Sequence, residues 1–184
     1  TICGVGPLSS IPRSTTRTPH KASGRLSDIR STLSRGNATA GGDHALGRLI
    51  ADAQLDATRD HGAQIAFTNP GGIRTDLRRR RPHGAVTYAD LYAVQPFGNA
   101  LVTLTLTGAQ LRRMLEAQWS SRRTDRPQRA DRAAKGEPAE RARLLQPSRG
   151  FSYAWDARRP VGQRIIADSL RLDGRAIDAD ARYR

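Results

Sequence analysis

Phe67-Thr68-Asn69-Pro70-Gly71-Gly72-Ile73-Arg74 and, further on, Gln95-Pro96-Phe97-Gly98-Asn99 are two turns rich in glycine, proline and asparagine, with a short helical pattern between them. The first turn follows Ile65-Ala66-Phe67, an apolar run that reads as a buried strand. Two glycines after a proline let the backbone approach a ligand closely. Asn69 carries an amide that both donates and accepts, and Arg74 a planar fork suited to carboxylate or phosphate. Phe97 stands as a single ring between Pro96 and Gly98. Amide, guanidinium and ring together suit a nucleotide: polar readout of the base, charge for phosphate or hydroxyls, and a face for stacking. A plainer reading stands beside this one. In it Asn69 shapes the turn, Arg74 pairs with an acid such as Asp76, and Phe97 is a core ring.

Working outward from these turns, Gly41-Gly42-Asp43 reads as a helix start with Asp43 as N-cap. Leu46, Leu49, Ile50, Ala53 and Ala57 then fall at helical spacing through about Arg59, with Arg48, Asp52, Asp56 and Arg59 opposite. His44, beside the cap, reads as a surface residue, and His83, beside Pro82, as loop. Arg78 to Arg81 read as a solvated loop tip rather than a binding patch. Thr87-x-x-Asp90 resembles a capping box and opens a helix over Tyr88 to Val94, with Tyr88 and Tyr92 packing on one face. Leu101 to Leu106 alternates apolar residues with threonine, the pattern of a strand. Thr107-Gly-Ala-Gln110 opens a further helix with Leu111, Met114 and Leu115 on one face. Phe151 to Trp155 reads as a strand; Arg164 to Ile166 and Ser169 to Leu172 are short strand candidates. Asp173-Gly174 is a hairpin signal, and Tyr183-Arg184 lies in a further strand. Trp119, Tyr153 and Trp155 are expected in packing. Gln95 and Asn99 are expected to fix loop geometry. Helices and strands in mixed order argue for an α+β fold with a mixed sheet and packed helices.

The 184 residues suffice for one domain with a real core. Hydrophobic residues make up only 37% and mean hydropathy is -0.61, so part of the chain is expected to lie outside the core. Residues 1–34 mix Ser, Thr, Pro, Gly and Arg without period and read as a linker or disordered arm. Residues 35–184 read as the domain, with an Arg-, Pro- and Ser-rich loop insertion at about 119–148. The net charge of +14 suggests nucleic acid, but most of it lies in the arm and the insertion. Only two of the 31 basic residues are lysine, which fits a GC-rich genome as well as selection for phosphate. The single cysteine, Cys3, excludes an internal disulfide and a cysteine metal cluster. No apolar run approaches the ~18–20 residues of a membrane span, and the first residues have no signal-peptide pattern.

Four ordered blocks resemble the C-terminal domain of the 5′-nucleotidase family, which includes UDP-sugar hydrolases and 2′,3′-cyclic-nucleotide phosphodiesterases. They are GDHALGRLIADAQLDAT (residues 42–58), FTNPGGIRTDL (67–77), VTYADLYAVQPFGNALVTLTLTGAQLRRMLEAQW (86–119) and FSYAWD (151–156). The resemblance covers residues 35–184. It implies a two-domain extracellular, cell-wall or periplasmic hydrolase. A metallophosphatase domain with two divalent metal ions hydrolyses the ester, and a C-terminal domain binds the nucleoside. Asn69 and Arg74, with Gly71 and Gly72 between them, match the family's substrate-binding turn. Phe97 matches the first of two rings that enclose the base, and Arg35 lies near a substrate arginine ahead of the first helix.

The same resemblance implies what these residues lack. Two-metal hydrolysis needs several His, Asp and Asn ligands holding metals ~3.5–4 Å apart. The chain's histidines are His20, His44, His61 and His83, with no Asp-x-His, Gly-Asn-His-Glu or His-x-His. The family's second ring follows a Tyr-Arg like Tyr183-Arg184, so the fold is expected to be incomplete at its C-terminus. The expectation is a nucleotide-recognition domain, itself without cofactor or catalytic residue and inactive alone. Rival readings are an arginine-rich nucleic-acid-binding protein and a truncated gene product without independent activity.

Overall fold

The computed structural model describes residues 25–36, 39, 41–79, 84–119 and 144–184. Their architecture is α+β, with short antiparallel ladders around three helices. Strand β1 (Arg25–Asp28) pairs with β3 (Ala85–Thr87), and β2 (Phe67–Thr68) with β5 (Gln146–Pro147). Strand β4 (Leu106–Thr107) pairs with β9 (Arg182–Tyr183). The last sheet has the order β6 (Phe151–Ser152), β7 (Arg171–Leu172), β8 (Arg175–Ala176). Asp173 and Gly174 join β7 to β8 with φ of 50° and 78°, the left-handed pair that a tight two-residue hairpin requires.

Helix α2 (Tyr88–Val94) and helix α3 (Gly108–Glu116) begin where the capping boxes place them. In each box the threonine hydroxyl accepts from the third helical N–H while that residue's side chain accepts from the threonine N–H, satisfying two donors that the first turn leaves without a helical partner. Helix α1 (Ala45–Thr58) differs from expectation at its cap. His44, not Asp43, is the N-cap: its Nδ1 accepts from Gly47 N at 3.0 Å. Asp43 is occupied instead by the Thr39 hydroxyl and the Arg48 guanidinium. His44 is therefore buried rather than on the surface. The buried stripe of α1 is also rotated from the expected one. Leu46, Gly47, Ala51, Leu55 and Thr58 turn inward, while Leu49, Ala53 and Ala57 are exposed. The small residues Gly47 and Ala51 let the helix lie close on β5, which a leucine stripe would not.

Two apolar clusters result. Leu111 and Leu115 of α3 pack with Trp119, Leu144, Phe151, Ile165 and Leu170. Leu46 of α1 packs with Ile73, Leu77, Val86 and Val94. Trp119 and Trp155 stack in a tilted pair with centroids 5.3 Å apart, as the packing reading of these rings expects. Tyr88 and Tyr92 stack at 6.3 Å on one face of α2, and both are about half exposed.

Three boundaries move. The arm read as residues 1–34 enters the fold from Arg25, because β1 adds a strand to β3 and Leu33 bridges Leu77. The insertion read as 119–148 gives up both ends. Trp119 and Leu144 are buried, and Gln146-Pro147-Ser148 is a buried strand segment that polar composition disguised. Gln146 satisfies its amide internally, donating to Gly42 O and Leu144 O and accepting from His44 N. Of the expected strand Leu101 to Leu106, only Leu106 enters a ladder, and of Arg164 to Ile166 only Ile165 does, as a bridge to Trp155. Arg78 and Arg79 are exposed; Arg80, Arg81 and His83 lie outside the described residues.

Candidate functional site

The first turn is built from its own sequence. Pro70-Gly71-Gly72 forms one 3₁₀ turn capped by Asn69, whose Oδ1 accepts from Gly71 N at 3.0 Å. That contact fixes the amide's orientation and leaves its NH2 as the group offered to a ligand. Ile73, buried in the second cluster, closes the turn. Arg74 N donates to Val94 O at 2.8 Å, which ties the first turn to the end of α2, where Gln95 to Gly98 begin the second. The short helix between the two turns thus sets their separation.

Both turns open onto one cavity of about 750 Å³. Asn69, Gly71, Gly72, Gln95 and Phe97 are among the residues that line it. Phe97 is 49% exposed, so it is a ring presented to solvent rather than a core ring. Gln95, expected only to shape its loop, is also on the wall. The Ile65 to Thr68 segment, residues 100–104, Leu111 and Met114 of α3, and Tyr183 and Arg184 also line it. Gln54 and Thr58 of α1 also reach it; sequence periodicity gave no signal for either, because both sit on what read as neither apolar stripe nor charged face.

Arg35 and Arg74 stand outside this lining. The Arg35 Nη1 donates to Ile73 O and to Arg74 O, both at 2.9 Å, and its backbone N–H donates to Asp76 Oδ1. It therefore grips the backbone just after the Asn69–Gly72 turn. Arg74 is exposed, with Nη1 at 3.4 Å from Gly71 O, so its fork remains available at the rim. Asp76 is engaged by Ser34 and Arg35, not by Arg74.

The lining chemistry is that of a binding site. Among the described residues it carries amides, threonine hydroxyls, apolar walls and one cationic side chain, Arg184, with no Asp or Glu side chain to repel an anion. His44 is held in its cap, where burial lowers its pKa while Asp43 opposes the shift. It offers no general base to the cavity. No three His, Cys, Asp or Glu side chains among the described residues gather closely enough to hold a metal ion. Among them, too, no helix is long and apolar enough to cross a membrane.

Comparison with known proteins places this geometry. The profile described as 5′-nucleotidase, C-terminal domain, matches residues 22–184. The chain is 33% identical over 145 residues to endonuclease YhcR of Bacillus subtilis, covering 77% of this chain and 9% of that protein. It is 42% identical over 83 residues to the cell wall protein Lmo0130 of Listeria monocytogenes, 43% of this chain and 11% of that one. Over 66 residues it is 39% identical to protein UshA of Escherichia coli, 36% of this chain and 11% of the relative. The crystal structure of a 5′-nucleotidase precursor from Thermus thermophilus superposes with a TM-score of 0.59 at 27% identity, over 88% of this chain and 28% of that one. The chain thus spans about a tenth of the length of these curated relatives. With a profile match running from before β1 to Arg184, the chain belongs to the family of 5′-nucleotidase C-terminal domains.

Proposed function

We propose that this domain recognises the nucleotide or nucleoside part of a substrate for a phosphoester hydrolase of nucleotide catabolism, and that it does not hydrolyse the ester by itself. The observation that carries the reading is that Asn69, Gly71, Gly72, Gln95 and Phe97 line one cavity together. Phe97 stacks on the base. The Asn69 and Gln95 amides read polar edges. Arg74 at the rim meets phosphate or sugar hydroxyls. Arg35 positions the turn through its backbone. Water attack on the phosphate belongs to a metallophosphatase domain holding two divalent ions, outside these residues, and the contribution of this domain is orientation. A site outside the cytoplasm, at the cell wall or in the periplasm, is supported by the cell wall protein among the relatives.

The test is a chemical-shift titration of the purified chain with AMP, UMP and UDP-glucose. Stacking on Phe97 contributes about 1–3 kcal/mol, and since about 4 kcal/mol corresponds to 1 mM, affinity is expected to be weak, at roughly millimolar to tens of millimolar once the amide contacts are added. Phe97→Ala weakens binding roughly tenfold, equivalent to about 1.4 kcal/mol, and Asn69→Ala weakens it with an altered base preference. Saturable binding unchanged in both variants, or none to any of the three ligands, contradicts the reading. Metal-dependent AMP hydrolysis by the purified chain, lost in Asn69→Ala, would overturn the assignment of chemistry to another domain.

A further inference from the structure

Arg48, Arg59, Arg149 and Arg158 each meet a carboxylate on the surface of the fold. Arg30, Arg35, Arg74, Arg78 and Arg79 are exposed and, among the described residues, make no side-chain ion pair. They come from two stretches far apart in sequence that one antiparallel contact brings together. Leu33 N donates to Leu77 O at 2.9 Å, and Leu77 N to Leu33 O at 3.0 Å. Around that bridge Arg79 N donates to the Thr32 hydroxyl, and Arg35 Nη1 to the carbonyls of Ile73 and Arg74. The acids of residues 28–36 and 73–79 are Asp28 and Asp76, and Asp76 is occupied by the Ser34 hydroxyl and Arg35 N.

The apolar residues of the pair, Ile29, Leu33, Ile73 and Leu77, belong to the second cluster. The pair shows solvent mainly arginine, with the hydroxyls of Ser31 and Thr32. Arginine, serine and threonine are side chains that contact phosphate. The stripe also begins at the cavity. Arg74 follows the Pro70–Gly72 turn, its Nη1 is 3.4 Å from Gly71 O, and Gly71 lines the cavity. At ~3.3 Å per residue, extended chain from Arg74 to Arg78 spans about 13 Å at most. Arg30 stands beyond Thr32 on the facing segment.

We propose that this stripe carries the phosphodiester backbone of a short single-stranded oligonucleotide whose terminal nucleoside sits in the cavity. The inference rests on the nucleotide reading of the cavity and narrows its substrate class from free nucleotides to the ends of oligonucleotide chains. Phe97 stacks on the terminal base and Arg74 meets the first phosphate. Arg78 and Arg30 meet the phosphates that follow. A row of separated guanidinium groups matches a polyanion whose charges are spaced along a chain. The compact charge of a nucleoside diphosphate would gather at Arg74 and leave the rest of the row unused. The two stretches expose no large apolar side chain that could enter a membrane.

The test titrates the full chain with AMP, ADP and a 5′-phosphorylated tetradeoxyadenylate, at about 50 and 200 mM salt. The tetranucleotide is expected to bind on the order of tenfold tighter than AMP or ADP at the lower salt. Arg30→Gln combined with Arg78→Gln should abolish that advantage, reduce the log–log salt slope by about 1–2 and leave AMP affinity unchanged. Both side chains are exposed, so this variant should keep the parent's urea midpoint. Arg113→Gln combined with Arg175→Gln removes the same charge from α3 and β8 and should leave the advantage in place. Phe97→Ala should weaken AMP and the tetranucleotide by the same factor. The proposal is overturned by a tetranucleotide that binds no tighter than AMP or ADP, by an advantage lost equally in both double variants, or by tetranucleotide binding that Phe97→Ala leaves untouched. AMP that binds without any tetranucleotide advantage sinks this inference alone; AMP that does not bind sinks the nucleotide reading and this inference with it.

Discussion

His44 is a polar residue in a buried place, and its role follows from its neutral form. An imidazole Nδ1 that accepts from Gly47 N cannot carry a proton there. His44→Ala removes the cap and is expected to cost about 1 kcal/mol of stability, while His44→Asn, which keeps an acceptor, costs less; urea midpoints measure both. The pH dependence has a definite sign. Burial lowers the folded pKa below the ordinary value of 6.5, so the unfolded chain takes up the proton first as the solution is acidified. The stabilisation is complete above 6.5 and is lost as pH falls from there toward the lowered folded value. His44→Asn should remove that part of the acid slope. Asp156 offers a second local test. Hydrogen bonding from the Arg158 side chain, then from its backbone N–H, lowers the Asp156 carboxyl to about 2. Arg158→Ala should raise its titration midpoint toward 3.8 in a carboxyl-carbon NMR titration, with little change in stability because the pair is exposed.

At the level of elements, the contact between α1 and β5 depends on a glycine and a glutamine that fit each other. A Cβ added at Gly47 would lie 2.4 Å from Gln146 Cγ and 2.7 Å from its Oε1. Gly47→Ala therefore loses more by overpacking, about 1–3 kcal/mol, than the roughly 1 kcal/mol that alanine gains in a helix. Gln146→Ala removes the two nearer of these atoms, leaving its own Cβ at 2.9 Å, so the clash is relieved only in part; it also leaves His44 N and Gly42 O without their amide partner, at about 1–3 kcal/mol. The two changes share one space, so the double variant should be less destabilised than the sum of the single ones. A thermal or urea double-mutant cycle reads the coupling. Additive costs would mean that helix and strand do not meet through this pair.

For the whole molecule, the two clusters divide labour. Ile73 of the second cluster closes the Pro70–Gly72 turn; Leu115 of the first is on α3. Both are fully buried, and each truncation to alanine should cost about 2–5 kcal/mol. The distinction is in binding. Ile73→Ala should also weaken the nucleotide titration, because Arg74 N and the Arg35 contacts hold the turn through the backbone around Ile73. Leu115→Ala should leave the affinity of the folded fraction unchanged. Equal effects on binding would show that the turn is held by its local hydrogen bonds alone.

The sequence by itself determined what depends on neighbours in the chain. The capping boxes at Thr87 and Thr107, the Asp173-Gly174 hairpin and the Asn69-capped Pro-Gly-Gly turn are legible because their hydrogen bonds close within three residues. The ordered blocks also carried the family. Tertiary structure decided whatever rests on partners distant in sequence. Gln146 reads as loop until His44 and Gly42, about a hundred residues away, satisfy its amide. The inward face of α1 is chosen by what Gly47 meets, not by the richest apolar stripe. Arg35 was expected at the ligand, and two carbonyls just after the turn hold it instead. Residues 101–105 have the pattern of a strand, but a strand is a relation between two backbones, and among the described residues β9 meets this stretch only at Leu106 and Thr107.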